Sequence, residues 1–336
     1  MKSDHRHALS LAFDRGIVGE PNDDTWSFVN ASPLPDLEPQ WKQVLLCEQD
    51  FRSDHLALKK AGYRTSDEVL SVNDFQGAIF LLGRSRKWNE HKIARIWNRL
   101  PIGGRLIVVG AKNSGIASIR KWFAGHHTLE DSFSKFHSIV FWADKTAASK
   151  LPEFDIARKW NGYHLQEGSF SAEGADPASQ LLVEYFDDRI KGTIADLGAG
   201  WGYLSAELLK RSSRVEHIDL FEADRQSLEL ATQNVKAIDA LAETKITGNW
   251  IDVPSEFPRK SYHWVIMNPP FHIGRQTVPE LGNRFIEVAA STLPAGGRLL
   301  MVANRNLPYE HTLNTSFRKV ELLAARDGFK VYEASK

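Results

Sequence analysis

The sequence predicts an α/β protein built from two tandem doubly wound domains. In the C-terminal half, short apolar runs alternate with helical patterns, which is typical of a largely parallel sheet covered on both faces. A ten-residue segment that begins at Leu293 recurs at Leu100 with seven identical positions. Polar residues follow the apolar runs where parallel strands would end. The 336 residues also exceed one average domain, so two domains are the natural expectation.

The repeated segment reads Leu-Pro-x-Gly-Gly-Arg-Leu and continues into an apolar run. It predicts a helix end, a Gly-Gly turn and a strand in each half. Because both copies follow a short apolar strand and a helical stretch, we interpret the halves as duplicated domains over residues 1–150 and 151–336. The boundary is expected within residues 145–176, which are rich in Ala, Ser, Gly and charge.

A strand that runs into a glycine loop opens the second domain. Residues 194–202 read Ile-Ala-Asp-Leu-Gly-Ala-Gly-Trp-Gly, and a helical pattern of leucines follows. Gly198, Gly200 and Gly202 allow positive φ and a close approach of the backbone to a ligand, beside the free N–H groups of a helix start. The spacing departs from the dinucleotide pattern G-x-G-x-x-G, and Asp196 would repel a pyrophosphate. A carboxylate there suits a cationic, amino-acid-like ligand.

Two further strands are predicted to bring polar residues to the same edge of the sheet. The run from His217 ends in Glu222, about twenty residues past the loop, where the acid of a doubly wound fold accepts from ribose hydroxyls. A third strand is predicted to end near Asn249. Either Asn249 or Asp252 is then expected beside an adenine ring.

The tetrapeptide Asn268-Pro269-Pro270-Phe271 follows the apolar run Trp264-Val265-Ile266-Met267. Each proline fixes its own φ, lacks an N–H and biases the preceding residue towards an extended conformation. The result is a stiff turn in which the Asn268 side-chain oxygen and the Pro269 carbonyl can both accept hydrogen bonds from one –NH2 group. Phe271 supplies a flat face for a planar ring. The turn is therefore predicted to hold an amine that acts as a nucleophile.

Residues from about 165 to 336 resemble a class I S-adenosylmethionine-dependent methyltransferase and, more narrowly, the bacterial ribosomal RNA guanine-N2 methyltransferases. The residues that carry the resemblance are 167–171, 176, 196–202, 248–249, 268–277, 302–304, 307–309 and 329–332. The extended run Phe-His-x-Gly-x-Gln-Thr is similar to that of the enzyme that methylates a guanine of small-subunit ribosomal RNA. Trp201 departs from the family pattern, in which a small or aliphatic residue is commoner.

The resemblance implies two class I methyltransferase-like (Rossmann-like) domains, of which the N-terminal one is degenerate. Two apolar runs flanking Arg326-Asp327-Gly328 add an antiparallel edge hairpin to the C-terminal domain. S-adenosylmethionine is the expected cofactor, and its predicted contacts are Asp196, Gly198, Gly200, Gly202, Glu222, Asn249, Asn268 and Phe170. The predicted catalytic residues, for direct methyl transfer to the exocyclic N2 amine of guanine, are Asn268, Pro269, Pro270, Phe271 and His272.

The N-terminal half keeps the fold pattern without the ligand-binding residues. Residues 44–49 stand where a glycine loop is expected and contain no glycine, and Leu82-Gly83-Arg84-Ser85 stands where the other half has Asn-Pro-Pro-Phe. We therefore predict that this domain binds no S-adenosylmethionine and helps to hold RNA. The net charge is zero, yet residues 81–121 contain ten Lys or Arg and a single acid, Glu90. The predicted phosphate contacts are Arg84, Arg86, Lys87, Lys92, Arg95 and Arg99.

Composition excludes several other classes of protein. Cys47 is the only cysteine, which excludes a disulfide framework and a cysteine zinc site and fits a reducing compartment. The histidines lack H-x-x-x-H and H-E-x-x-H spacing, so we predict no metal. Neither a signal peptide nor a membrane-spanning apolar run is predicted. We expect a cytoplasmic monomer whose partner is ribosomal RNA or the small ribosomal subunit.

Four alternatives remain open at this point. The target could be a guanine of large-subunit ribosomal RNA, since that enzyme shares Asn-Pro-Pro-Phe-His. It could be adenine N6 or a protein glutamine, although those enzymes more often carry Tyr in place of Phe271. A small-molecule methyltransferase is a further possibility, which the basic segment disfavours. The non-enzymatic alternative is an RNA-binding assembly protein, against which the intact glycine loop and amine-binding turn argue.

Overall fold

The computed structural model describes residues 4–19, 25–36, 39–66, 75–147, 149–238, 244–273 and 276–336, with backbone alone at 272, 273, 276 and 277. The chain divides into two compact units, Met1–Ile156 and Ala157–Lys336. Each unit contains a mixed sheet of seven strands. The predicted pair of α/β domains is therefore confirmed.

The first unit has the strand order β3-β2-β1-β4-β5-β7-β6, in which only the last two pairings are antiparallel. Its strands are β1 (Trp26–Val29), β2 (Leu45–Glu48), β3 (Arg64–Ser66), β4 (Gly77–Leu81), β5 (Arg105–Ala111), β6 (Asp131–Lys135) and β7 (Ser138–Asp144). Its helices are α1 (His5–Asp14), α2 (Trp41–Val44), α3 (Arg52–Lys60), α4 (Arg86–Arg99) and α5 (Ile116–Ala124). Hydrophobic clusters cover both faces of this sheet.

The second unit has the corresponding order β12-β11-β10-β13-β16-β18-β17. Its strands are β8 (Ala157–Trp160), β9 (Tyr163–Gln166), β10 (Gly192–Leu197), β11 (Val215–Glu222), β12 (Lys245–Trp250), β13 (Trp264–Met267), β14 (His272–Ile273), β15 (Gln276–Thr277), β16 (Arg298–Asn304), β17 (Lys319–Arg326) and β18 (Phe329–Ser335). Its helices are α6 (Pro177–Val183), α7 (Tyr203–Leu209), α8 (Arg225–Ile238), α9 (Val253–Glu256), α10 (Pro279–Thr292) and α11 (Glu310–Ser316). The pair β8-β9 forms a separate hairpin, and β14 pairs antiparallel with β15.

The predicted duplication is visible in the local backbone as well as in the strand order. The repeated segment forms the same turn twice, with φ of 84° at Gly103 and 82° at Gly296, and leads into β5 and β16. The predicted edge hairpin is also present, because β18 pairs antiparallel with both β16 and β17. Asp327 and Gly328 make its turn with φ of 55° and 84°.

The structure corrects the predicted correspondence between strands of the two halves. The two strand orders can be compared position by position. Strand β2 of the first sheet then corresponds to β11 of the second, and β1 corresponds to β10, which leads into the glycine loop. Residues 44–49 overlap β2 and so correspond to the wrong strand. We missed β1 because four residues buried on both faces carry no alternation of apolar and polar side chains. The first domain remains degenerate at the corrected position. Asn30, with φ 53°, follows β1 at the place where Gly198, with φ 77°, follows β10, so the first glycine of the loop is replaced.

A buried ion pair lies at the carboxyl edge of the first sheet. Glu48 ends β2 as Glu222 ends β11, and Lys92 Nζ lies 2.8 Å from Glu48 Oε1 and 3.7 Å from Asp50 Oδ2. Lys92 is 4% exposed, so its ammonium group cannot reach a phosphate on the surface. We therefore withdraw Lys92 from the predicted RNA contacts.

The other predicted RNA contacts are more accessible. Those with exposed side chains are Arg84, Arg86, Lys87 and Arg99, and Arg95 is half-buried. Arg86 also pairs with Glu90 across one helical turn at 2.7 Å. Within the described ranges, no helix is long and apolar enough to cross a membrane. The same ranges contain no group of three His, Cys, Asp or Glu residues that could hold a metal ion.

Candidate active site

The predicted ligand-binding residues of the second unit converge at the carboxyl ends of its parallel strands. Asp196 lies in β10, Glu222 ends β11, Asn249 lies in β12 and Asn268 follows β13. Neighbouring strands pair in register, with Leu197 opposite Phe221 and Phe221 opposite Asn249. This edge is where open parallel sheets bind ligands.

The glycine loop adopts the backbone that its sequence predicts. Gly198, Gly200 and Gly202 have φ of 77°, 55° and 87°. A Cβ on Gly202 would lie 2.8 Å from Ala231 Cα in α8, so packing as well as conformation requires glycine there. A Cβ on Gly198 would lie 3.7 Å from Pro270 Cδ, which places the loop beside the proline turn.

Asp196 is completely buried and only partly hydrogen-bonded. Its Oδ2 accepts from Ser205 Oγ at 2.6 Å, whereas its buried Oδ1 has no partner within the described residues. Burial raises the pKa of Asp196 to about 7, and the negative charge of Glu222 adds to the effect. An unsatisfied buried acceptor is costly. A donor or cation on a ligand would satisfy it, so this site fits the amino-acid-like part of S-adenosylmethionine.

Glu222 links the glycine loop to the turn after β11. Its Oε2 accepts from Gly200 N at 2.8 Å, and its Oε1 accepts from Ala223 N and Asp224 N at 2.8 and 2.9 Å. Withdrawal from water raises the pKa of Glu222 to about 6. Because a carboxylate has about four lone-pair sites, these three hydrogen bonds leave about one site for a ribose hydroxyl group.

Asn268 is held by residues at the start of α6. Its Nδ2 donates to Asp176 Oδ2 at 2.9 Å and to Ser179 Oγ at 3.0 Å. No donor to its Oδ1 is found in the part of the chain that the structure describes, so this oxygen is available to accept a hydrogen bond. Pro269 is buried and Phe271 is half-buried against the core of the domain.

The remaining predicted contacts differ in how they are placed. Phe170 is 61% exposed, and its Cδ1 lies 4.0 Å from a Cβ built on Gly200, so its ring lies beside the loop. Asn249 Nδ2 donates to Leu220 O at 3.3 Å, which directs its amide group towards β11. His272 belongs to β14, but its side chain lies outside the described residues.

Sequence reasoning missed Asn234, which connects the glycine loop to the β8-β9 hairpin. Its Nδ2 donates to Trp201 O and His164 O at 2.8 Å, and its Oδ1 accepts from His164 N at 2.8 Å. Asn234 is 2% exposed and lies on the buried face of α8 beside Ala231. A polar residue on the apolar face of a predicted helix was the signal that could have identified it.

Two family models match the chain. The model described as "Methyltransferase small domain" matches residues 162–333, and "Methyltransferase small domain N-terminal" matches residues 18–163. The first match covers the glycine loop, Glu222 and the proline turn together.

Relatives and one solved structure agree with this assignment. The "Ribosomal RNA small subunit methyltransferase C" of Pectobacterium atrosepticum is 30% identical over 288 residues, 82% of this chain and 78% of the relative. That of Yersinia enterocolitica is 28% identical over 264 residues, 76% and 74% of the two chains. A T. thermophilus 16S rRNA N2 methyltransferase (RsmC), solved with AdoMet and guanosine, has the same fold, with a TM-score of 0.78, 22% identity and coverage of 95% of this chain and 90% of that one. The chain therefore belongs to the methyltransferase small domain family, together with the ribosomal RNA small subunit methyltransferase C proteins that it resembles.

Proposed function

We propose that this protein methylates the exocyclic N2 amine of a guanine in small-subunit ribosomal RNA. The methyl donor is S-adenosylmethionine, in keeping with the family. The observation that carries the proposal is the orientation of Asn268, whose NH2 group donates to Asp176 and Ser179 and so leaves Oδ1 to accept. The proline turn that follows Asn268 lies beside the glycine loop. The names of the relatives support ribosomal RNA of the small subunit as the substrate.

The chain's own residues would hold the donor in place. Asp196 offers its unsatisfied Oδ1 to a cationic or hydroxyl group, and Glu222 offers its remaining acceptor site to a ribose hydroxyl group. The backbone of Gly198 and Gly200 allows close approach because neither residue has a Cβ. When bound, S-adenosylmethionine supplies a methyl group on a positively charged sulfur.

The proline turn would activate the amine. Guanine N2 is a poor nucleophile because its lone pair is delocalised into the ring. If Asn268 Oδ1 and the Pro269 carbonyl each accept one N–H, the nitrogen can pyramidalise and direct its lone pair at the methyl carbon. The N–C bond forms as the C–S bond breaks, and the nitrogen then loses a proton to water. These hydrogen bonds strengthen as positive charge grows on nitrogen, which favours the transition state.

Phe271 would stack on the flat face of the guanine. A base inside a helix cannot reach such a turn, so the target must be unpaired or flipped out. Positioning of the two reactants supplies the rest of the rate enhancement. The reaction needs no covalent intermediate between the chain and the methyl group.

The direct test incubates the protein with labelled S-adenosylmethionine and unmodified small or large ribosomal subunits, followed by digestion and identification of the labelled nucleoside. The proposal expects labelled N2-methylguanosine from the small subunit. The same nucleoside from the large subunit would show that the target lies in large-subunit RNA. Labelled N6-methyladenosine would show that the methylated base is adenine. No label in either RNA, with the ligand still bound, would contradict the proposal.

Ligand affinity is expected to fall with decreasing pH. The two carboxyl groups that would bind S-adenosylmethionine, Asp196 and Glu222, have pKa values raised to about 7 and about 6 by burial. Protonation removes the negative charge that attracts a cationic group and turns one acceptor oxygen into a donor, so affinity rises as pH increases through these values. Calorimetry should show roughly tenfold weaker binding at about pH 6 than at about pH 8 from Asp196 alone, since one pH unit below a pKa corresponds to about 1.4 kcal/mol.

The matched variant is Asp196→Asn, which keeps the size of the side chain and removes its titration. The amino group of the ligand titrates equally with both proteins, so the difference between the two pH profiles reports Asp196 alone. Parallel profiles would show that Asp196 does not ionise on binding.

The apo protein provides a second readout. The pKa of Asp196 is higher in the folded protein than in the unfolded chain, so the folded protein binds the proton more tightly. The apo domain therefore becomes less stable as pH rises from about 4 to 7.

Removal of two positive charges near α4 is expected to weaken RNA binding. The double variant combines Arg84→Ala with Lys87→Ala. Both residues lie at or just before the start of α4, and both side chains are exposed. If each contacts a phosphate of single-stranded RNA, the slope of log K against log salt should decrease in magnitude by about 1.4. The affinity at physiological salt should fall by about tenfold, as measured by fluorescence anisotropy.

Lys59→Ala with Lys60→Ala is the matched control. These residues are exposed at the end of α3 in the same unit, so the variant has the same net charge. The control should retain the salt dependence of the wild type. Equal losses in both double variants would indicate a nonspecific effect of net charge and contradict an RNA contact at α4.

A further inference from the structure

The amide of Asn268 is oriented by its neighbours. Both of its N–H groups are occupied, one by Asp176 Oδ2 at 2.9 Å and the other by Ser179 Oγ at 3.0 Å. A carboxylate can only accept hydrogen bonds, whereas an amide has a donor end and an acceptor end. Asp176 therefore determines that the NH2 end of Asn268 faces α6 and that Oδ1 faces away from it.

The two acceptors are themselves fixed in place. Asp176 is the N-cap of α6, and its Oδ2 also accepts from Ser179 N at 3.1 Å. Pro177 restricts the backbone at the first helical position. Ser179 is 6% exposed, and α6 packs against β16 and β18 of the central sheet. Asn268 is therefore supported by a helix start that is anchored to the domain core.

We infer that Asp176 and Ser179 are positioning residues that present Asn268 Oδ1, and not its NH2 group, to the reacting amine. The inference rests on the proposed function, because it concerns the acceptor that the amine requires. Without the carboxylate, the amide could rotate by half a turn and place a donor against the N–H groups of the substrate. The variant would then bind both ligands but seldom hold the amine ready for attack.

A variant that merely removes Asp176 would also remove the helix cap. Asp176→Ser separates the two roles, because a serine hydroxyl can cap the N–H of Ser179 but is too short to bond Asn268 as well. Ser179→Ala removes one acceptor and leaves the cap intact. Asp4→Ser makes the same Asp-to-Ser change at the cap of α1, in the other unit, and serves as the control.

Steady-state kinetics give the first readout. Asp176→Ser should lower kcat about 10- to 100-fold, the effect expected from a lost hydrogen bond to a charged group, with little change in KM for RNA or in S-adenosylmethionine affinity. Ser179→Ala should lower kcat by a smaller factor, and Asp4→Ser should not change it. A kcat of Asp176→Ser equal to that of the wild type would overturn the inference.

A reciprocal exchange gives the second kinetic readout. Asn268→Asp places two carboxylates side by side, which should inactivate the protein. Combining it with Asp176→Asn restores one donor and one acceptor across the pair and leaves an oxygen of residue 268 free for the amine. Partial recovery of kcat in the double variant supports the inference. If the double variant is no more active than Asn268→Asp alone, the pair does not act through orientation.

The side-chain amide signals of Asn268 give a readout that needs no substrate. They can be assigned in a nitrogen-15 correlation spectrum as the pair that disappears in Asn268→Ala. Both protons should be protected from exchange in the wild type and lose protection in Asp176→Ser. Unchanged protection would contradict the inference while leaving the proposed function intact. Failure of the proposed function would instead appear in the wild type, as a labelled product other than N2-methylguanosine.

Discussion

Replacement of Asn268 by alanine is expected to lower kcat for methyl transfer by about 10²- to 10³-fold. This is the range seen when one preorganised hydrogen-bonding group is removed from the position where charge develops in a transition state. Asn268 supplies the acceptor at the turn, and the carbonyl of Pro269 cannot replace it because a backbone group cannot move to a second position. Affinity for S-adenosylmethionine should fall much less than kcat, since Asn268 is one predicted contact among several and the unsatisfied oxygen of Asp196 and the glycine loop are untouched.

Single-turnover kinetics with excess protein and calorimetry with S-adenosylmethionine separate the two effects. Asn314→Ala is the control, because it makes the same Asn-to-Ala change in the same domain. Asn314 is exposed on α11. It should retain wild-type kinetics. Equal losses of transfer rate and ligand affinity in Asn268→Ala would mean that Asn268 supports the structure of the site and does not take part in the reaction.

The second large effect is expected from Gly202→Ala, which should destabilise the C-terminal domain by about 2 to 5 kcal/mol. Gly202 has φ 87°, where an L-residue costs about 1–2 kcal/mol. Its new Cβ would also lie 2.8 Å from Ala231 Cα and 3.0 Å from Ala231 O. Overpacking against backbone atoms costs about 1–3 kcal/mol more, because α8 has to move away. The glycine loop would move with it and weaken ligand binding.

Gly296→Ala separates the two causes. Its φ is 82°, but a Cβ there would have no atom within 4 Å, so only the conformational cost of about 1–2 kcal/mol applies. Urea denaturation should be followed at the transition that S-adenosylmethionine shifts, because ligand binding identifies the C-terminal domain. If both variants lost the same stability, close packing against Ala231 would not be what requires glycine at position 202.

The ligand-binding edge of the second domain was predictable from local patterns. The strand Trp264–Met267 and the proline turn after it carry strong local signals, because a buried strand is a short apolar run and proline restricts the backbone wherever it occurs. The three loop glycines have positive φ as their sequence indicates. A parallel sheet brings successive strand ends to one edge, so Asp196, Glu222 and Asn268 could be placed together before any contact was known.

The first domain was harder to align from sequence. Strand β1 has four residues and no alternation, so the sequence pattern places the position of the glycine loop one strand too late. The spacing of Lys92, Arg95 and Arg99 by three and four residues predicts that they share one face of a helix. The structure instead buries the ammonium group of Lys92 against Glu48. Helical spacing identifies a shared face but does not say whether that face meets solvent or a carboxylate from another strand.

By itself, the sequence determined the two α/β domains, their duplication, the glycine loop and the proline turn, because each depends on residues close together along the chain. Only the tertiary structure decided which end of the Asn268 amide is an acceptor, since the residues responsible lie 92 and 89 positions away at Asp176 and Ser179. The unsatisfied oxygen of Asp196 is likewise a property of burial and of Ser205 in a different element. Hydrogen-bond partners and burial arise from contacts between distant segments, which local pattern does not contain.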